Sequence, residues 1–211
     1  MDIFEQLDTW EKTEGRELFS AILDVPDPAV LDYGCGFGNY SFAAAYAFGP
    51  NSRIYAADID PRCLEHIDEK AKKNGIRCIT TVRANEDYRQ PFDDGSFDLV
   101  FYSDLFHGEE KHYGGLHRFV MLEEAGRTLK DGGVLAVLPF HLSNFRDREK
   151  KKVKVTCEKL IGEIREYGFA LLDRDLQGIH FEKAYSPYYQ KKGGVSLDSL
   201  ERGRILLFVK D

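Results

Sequence analysis

Val30-Leu31-Asp32-Tyr33-Gly34-Cys35-Gly36-Phe37-Gly38-Asn39 decides how this chain is read. A short apolar run ends in an acid, and glycine then recurs at every second position. Such a run reads as a buried strand, and the glycines read as a sharp turn into a helix. Removing side chains at Gly34 and Gly36 lets a ligand approach the main chain. Gly38 starts the helix, whose free N–H groups favour an anionic ligand group. Open α/β sheets bind ligands at the carboxyl ends of such strands.

The spacing G-x-G-x-G differs from the dinucleotide fingerprint G-x-G-x-x-G, because Asn39 stands where the third glycine of that fingerprint would fall. A nicotinamide or flavin reading is weakened, and a ligand-free glycine turn competes with both. The next strand, Arg53-Ile54-Tyr55-Ala56-Ala57-Asp58, also ends in an acid. Asp58 falls about 20 residues beyond the turn, where a carboxylate can accept two ribose hydroxyls. Asp60, directly before Pro61, is assigned to the helix cap instead.

Two further stretches extend the pattern: Pro91-Phe92-Asp93-Asp94-Gly95-Ser96-Phe97-Asp98-Leu99-Val100 leads into a fourth strand, and Leu129-Lys130-Asp131-Gly132-Gly133-Val134-Leu135 turns into a fifth. Taken together and in this order, the motifs resemble those of the class I S-adenosylmethionine-dependent methyltransferases over roughly residues 30–140. The small-molecule branch grouped with ubiquinone and menaquinone biosynthesis enzymes is the most similar. The resemblance implies S-adenosyl-L-methionine as cofactor. It implies an α/β fold: a doubly wound, mostly parallel seven-stranded sheet with helices on both faces and an antiparallel last strand beside the fifth. Residues 1–28 would form a helical lid on a Rossmann-like core, 29–211, in one domain.

Length and composition agree with that fold. At 211 residues, one domain is the expectation, and the net charge of −7 lends no support to a basic nucleic-acid surface. No stretch approaches the ~18 apolar residues of a membrane span. The acidic start, Met1-Asp2-Ile3-Phe4-Glu5, lacks the basic region of a signal peptide, so a cytoplasmic location is expected. Cys35, Cys63, Cys78 and Cys157 form no C-x-x-C pair, which argues against metal or disulfide roles.

Periodicity predicts a helix over 3–24 broken at Gly15, a third strand over 76–82, a fourth over 97–102, and a helix over 116–130. A fifth strand is expected over 134–138, an amphipathic helix over 147–167, and strands near 169–173 and 204–209. Phe4 and Trp10 are read as packing on the sheet, with a pocket-lining role as the competing possibility. The long segment 176–200, with Tyr185, Tyr188, Tyr189 and Lys191-Lys192-Gly193-Gly194, suggests a flap.

The resemblance also implies a set of site residues. Gly34, Cys35 and Gly36 would meet the methionine portion, and Asp32 would anchor its amino group directly or through water. Asp58 would hold the ribose with Ile59 against the adenine face. Asn85 and Glu86 are chosen for the adenine edge, where the family more often carries an Asp. Ser103 would lie below the sulfonium. His107 leads the general-base candidates because imidazole titrates near neutrality, followed by Asp104 and His141. The five-residue steps between His107, His112 and His117 share no helix face, so no metal is expected. The basic run from Arg146 to Lys154 reads as a solvated helix face. Sequence thus favours methyl transfer to a small-molecule acceptor. A nicotinamide-dependent oxidoreductase and a non-catalytic cofactor-binding module are the alternatives, and a homodimeric assembly stays open.

Overall fold

The computed structural model describes residues 3–106, 116–139, 145–149, 151–153, 155–174 and 205–211. Its centre is the strand β1 (Ala29–Tyr33), in which every residue is buried. Each aliphatic side chain sealed there contributes about 1.5–3 kcal/mol of burial. The chain then alternates: α3 (Asn39–Phe48), β2 (Arg53–Asp58), α4 (Pro61–Asn74), β3 (Ile79–Arg83), β4 (Phe97–Ser103), α5 (His117–Thr128) and β5 (Leu129–Leu138). Before them stand α1 (Ile3–Lys12) and α2 (Glu14–Ile22). After them come β6 (Phe145–Arg146), β7 (Lys152–Val153), α6 (Cys157–Arg165), β8 (Phe169–Leu171) and β9 (Leu206–Lys210).

The main sheet has the order β3-β2-β1-β4-β5-β9-β8. The first five strands in that row are parallel; β9 runs antiparallel to both β5 and β8. This is the expected sheet. From β1 the chain moves outward to β2 and β3, then returns to β1's other side as β4. The strand order therefore reverses between β1 and β4, and a crevice opens at their carboxyl ends. At the opposite end Asp98 fastens the same strands, accepting the Ala29 N–H at 2.8 Å and the Lys130 ammonium at 2.8 Å. The Phe97-Asp98-Leu99-Val100 motif has its acid there for that reason.

Several boundaries differ from expectation. The N-terminal helix breaks at Thr13 (φ −116°, ψ −98°), not at Gly15. Gly15 lies inside α2, where a Cβ would come within 2.9 Å of the Trp10 ring and of Ala43 Cβ, so this glycine serves close packing. Trp10 is buried and meets Tyr40 of α3 edge-on at 5.4 Å, so the contact is with a helix where packing on the sheet was expected. Phe4's side chain lies outside the described residues. β3 starts at Ile79 because the Ile76 N–H still donates to Ala71 O of α4. β5 starts at Leu129, whose pairing with Phe97 precedes an irregularity in register.

The largest correction concerns 147–167. Among the described residues of that stretch, only Cys157–Arg165 is helical, capped by Thr156, whose hydroxyl accepts the Lys159 N–H. The basic run ahead of it is a β-hairpin, with Phe145 opposite Val153 and Arg146 opposite Lys152. Asp147 makes the turn by accepting the N–H groups of Glu149 and Lys151, each at 2.9 Å. Local side-chain-to-backbone bonds of this kind compete with helix formation. In that hairpin Arg148 pairs with Glu166 and Lys151 with Glu149. The suggested flap, 176–200, lies outside the described residues.

Candidate functional site

The glycine turn is built from main chain. Gly34 N–H and Cys35 N–H both donate to Ala57 O of β2, at 2.7 and 3.0 Å, and Gly38 N–H closes on Cys35 O at 2.9 Å. Gly34, Gly36 and Gly38 all have positive φ, a region that costs other residues energy. Their reasons for being glycine differ. A Cβ on Gly34 would sit 2.4 Å from Leu105 Cδ2, and one on Gly38 would sit 2.6 Å from Ile67 Cγ1. A Cβ on Gly36 would meet nothing within 4 Å. Gly34 and Gly38 admit neighbouring side chains, whereas Gly36 borders open space.

Asp58 faces that space from the end of β2. Its Oδ2 accepts the Gly36 N–H and its Oδ1 the Asp60 N–H, both at 2.8 Å. Each carboxylate oxygen has a second acceptor site, so the group suits a pair of hydroxyls. Asp60 caps α4 as expected, accepting the Arg62 N–H at 3.0 Å ahead of Pro61. Ile59 and Phe37, next in sequence to Asp58 and Gly36, are exposed apolar side chains, 50% and 45% accessible, which suits the face of a nucleobase. An open main-chain cradle, a two-pronged acceptor and exposed apolar flanks fit an adenosyl group.

Asp32 is buried beneath the turn, where its Oδ2 accepts the Ser41 hydroxyl at 2.6 Å. Burial pushes this carboxyl up to about 7; the Ser41 bonds pull it down and the Asp58 charge adds to the rise. A buried carboxylate beside another acid is a good partner for a cation. Cys35 is buried and its thiol is pushed well up, first by burial and then by the Asp32 and Asp58 charges, which makes it inert. All four cysteines are free. Beyond β3, the Ala84 N–H donates to Asp58 O at 3.0 Å, placing the exposed Asn85 and Glu86 next to the β2 end.

At β4, Ser103 is half-buried and Asp104 buried, the latter with φ +55° and its N–H donating to Leu138 O at 2.7 Å. His107 and His141 lie outside the described residues, as does His112. No group of acids, cysteines and histidines able to hold a metal occurs among the described residues. Sequence reasoning missed Tyr40, whose buried hydroxyl is pushed up by burial and has no hydrogen-bond partner among the described residues. It also missed His117, which is buried with Nε2 donating to Leu105 O at 2.7 Å. Neither has a local signal: Tyr40 reads as an ordinary first-turn residue, and His117 as one of a scattered trio.

Residues 30–133 match the family model described as a methyltransferase domain. The chain is also similar, at 19% identity and a TM-score of 0.61, to a SAM-dependent methyltransferase of Aquifex aeolicus whose structure is solved, covering 99% of this chain and 97% of that one. This chain belongs to the class I S-adenosylmethionine-dependent methyltransferases. Its cofactor is S-adenosylmethionine. Among curated relatives of this methyltransferase is the demethylmenaquinone methyltransferase of Lactococcus lactis, 22% identical over 95% of this chain and 77% of that protein. Another is the sarcosine/dimethylglycine N-methyltransferase of Halorhodospira halochloris, 33% identical over 51% of this chain but only 36% of that protein. The methyltransferase thus spans most of the first relative and about a third of the second.

Proposed function

We propose that this methyltransferase moves a methyl group from S-adenosylmethionine to a small-molecule acceptor held over the carboxyl ends of β4 and β5. The observation that carries the reading is Asp58, oriented by two main-chain N–H groups toward the space beside Gly36. When bound, the cofactor supplies an activated methyl on a cationic sulfonium. The protein's part is to bind, orient and exclude water.

In this reading Asp58 accepts the ribose hydroxyls, Ile59 and Phe37 cover the adenine, and Asn85 and Glu86 meet its edge. Gly34, Cys35 and Gly36 lend main chain to the methionine portion, and the Asp32 charge attracts its ammonium. Ser103 and the Tyr40 hydroxyl stand below the sulfonium. An acceptor that must lose a proton would give it to His107, Asp104 or His141. The menaquinone-related relative supports an apolar or aromatic acceptor, and the demethylmenaquinone itself is the first compound to try. Residues 1–28 are assigned to the N-terminal cover of one domain, 29–211. No helix among the described residues is long and apolar enough to cross a membrane. The four free cysteines support a reducing, cytoplasmic setting. A homodimer is compatible with this assignment.

Calorimetric titration with S-adenosylhomocysteine and with reduced nicotinamide dinucleotide tests the cofactor assignment. Binding of the first and not the second is expected, and the opposite result overturns it. Transfer of labelled methyl to cell extract then tests catalysis. Saturated cofactor binding with no labelled product in any fraction would leave a binding module instead.

A further inference from the structure

We propose that Glu124, on α5, is a positioning residue for the nucleoside end of the cofactor: it holds the turn 84–90 that presents Asn85 beside Asp58. The proposal rests on the cofactor assignment above.

Glu124 is almost fully buried, 1% accessible, and its carboxylate is surrounded by donors. Oε2 accepts the Gln90 main-chain N–H at 2.7 Å and Arg127 Nη2 at 2.8 Å. Oε1 accepts Arg89 Nη1 and Arg127 Nε, both at 3.1 Å. A buried charge satisfied on both oxygens fixes its neighbours firmly. Arg127 continues the clamp by donating to Gln90 O at 3.0 Å and Phe92 O at 2.6 Å. The Gln90 side chain is buried too, donating to the Tyr102 hydroxyl at 2.9 Å and accepting the Thr128 hydroxyl at 3.2 Å. Residues 89–92 are thereby fastened to α5 and β4.

The clamp reaches the site through the turn. Asn85 Nδ2 donates to Arg89 O at 2.9 Å, and the Tyr88 N–H donates to Asn85 O at 3.2 Å. Asp87 accepts the Arg89 N–H at 3.0 Å. Tyr88 adopts φ +64°, a conformation that persists only where its surroundings dictate it. Its ring lies 5.2 Å from that of His117 on the same α5. The bond from one Asn85 amide N–H to Arg89 O keeps the amide from flipping, so its Oδ1 holds one position in which to accept a hydrogen bond. An adenine 6-amino group is a donor, whereas the 6-oxo group of hypoxanthine is an acceptor. Glu124 therefore sets, through Arg89 and Gln90, which end of Asn85 the base meets.

Glu124→Gln keeps the size and removes the charge that binds both guanidinium groups. The expected result is about tenfold weaker binding of adenosine and S-adenosylhomocysteine, a KM for cofactor raised to match, and kcat within about threefold. The preference for adenosine over inosine shrinks, and hydrogen exchange at the Gln90 amide quickens. Glu163→Gln is the control: it disturbs the buried Arg118 at the other end of α5 and should leave adenosine affinity unchanged. Should Glu124→Gln fail to fold, Arg89→Met, at a half-exposed partner, is expected to weaken adenosine binding about threefold. Adenosine affinity within twofold of wild type in the folded Glu124 variant, or equal loss in the Glu163 control, overturns the role of Glu124 alone. A wild-type protein that binds neither nucleoside overturns the cofactor assignment and the proposal with it.

Discussion

The carboxyl ends of β1 and β2 are joined by main-chain bonds, whereas among the described residues the chain leaving β4 is held mostly by side chains. On the first side, peptide N–H groups of Gly34 and Cys35 meet Ala57 O, and those of Gly36 and Asp60 meet Asp58. On the second, Leu105 fills the space above Gly34, His117 holds the Leu105 carbonyl, and the Tyr102 and Phe106 rings meet at 5.8 Å. The difference follows from what each side must recognise. A cofactor gripped by peptide groups needs a backbone path, and glycine spacing writes that path into a few consecutive residues. An acceptor gripped by side chains needs groups from separate elements, and these are brought together only by packing.

The comparison breaks most visibly at Arg118, on the second side. This arginine is fully buried, paired with Glu163 at 3.0 Å and donating to Arg146 O. Arg118→Met should cost about 4 kcal/mol in urea unfolding, because it strands a partly buried carboxylate. S-adenosylhomocysteine affinity should stay unchanged, since Glu163 and Arg146, the partners named for it, lie outside the cradle.

The next effect is a pH dependence on the first side. The ordinary Asp carboxyl value is 3.8, and burial raises Asp32 to about 7 in the folded protein. A raised acid favours the folded state while protonated. Its contribution is therefore complete below about 4 and is lost as pH rises to about 7, on the order of 4 kcal/mol. Asp32→Asn should flatten that part of the cofactor-free stability profile. Glu11, also raised to about 7 by burial against the pull of Lys70, contributes with the same sign and should persist in the variant.

Two glycines then divide fold from ligand. Gly34→Ala combines φ +71° with a Cβ contact of 2.4 Å, and should lose about 3 kcal/mol as Leu105 is displaced. Between the glycines in size comes Asp58→Asn, expected to weaken S-adenosylhomocysteine binding by about 2 kcal/mol, or roughly thirtyfold, by calorimetry. Gly36→Ala has only φ +53° to overcome, so its stability cost should be about 1 kcal/mol by the same unfolding assay. Its methyl group nevertheless enters the cradle, so cofactor binding should fall out of proportion to stability. Equal binding losses for a matched stability loss at Gly34 and Gly36 would erase the distinction between them.

The hairpin at 145–153 shows where pattern reading fails. A stripe through Val153, Cys157, Leu160, Ile161 and Ile164 has helical spacing, yet Val153 belongs to a strand opposite Phe145. The Thr156 cap and the Asp147 turn are local signals that compete with the stripe, and they prevail. The Glu124 network is a different kind of failure. A mid-helix glutamate looks solvent-facing in sequence, and only the return of the 84–96 connection across α5 buries it among Arg89, Gln90 and Arg127.

By itself the sequence determined a parallel sheet covered on both faces and the turn at Gly34–Gly38, because those follow from local chain geometry: apolar strands, glycine turns and caps at Asp60 and Gly75; the antiparallel last strand is implied by the family resemblance. Tertiary structure alone decided that Asp32 is sealed under the turn, that Gly34 yields to Leu105 while Gly36 opens outward, and that α5 supplies the groups holding two loops of the site. Each of those depends on atoms from residues tens of positions apart, and no periodicity along one element encodes who its neighbour will be.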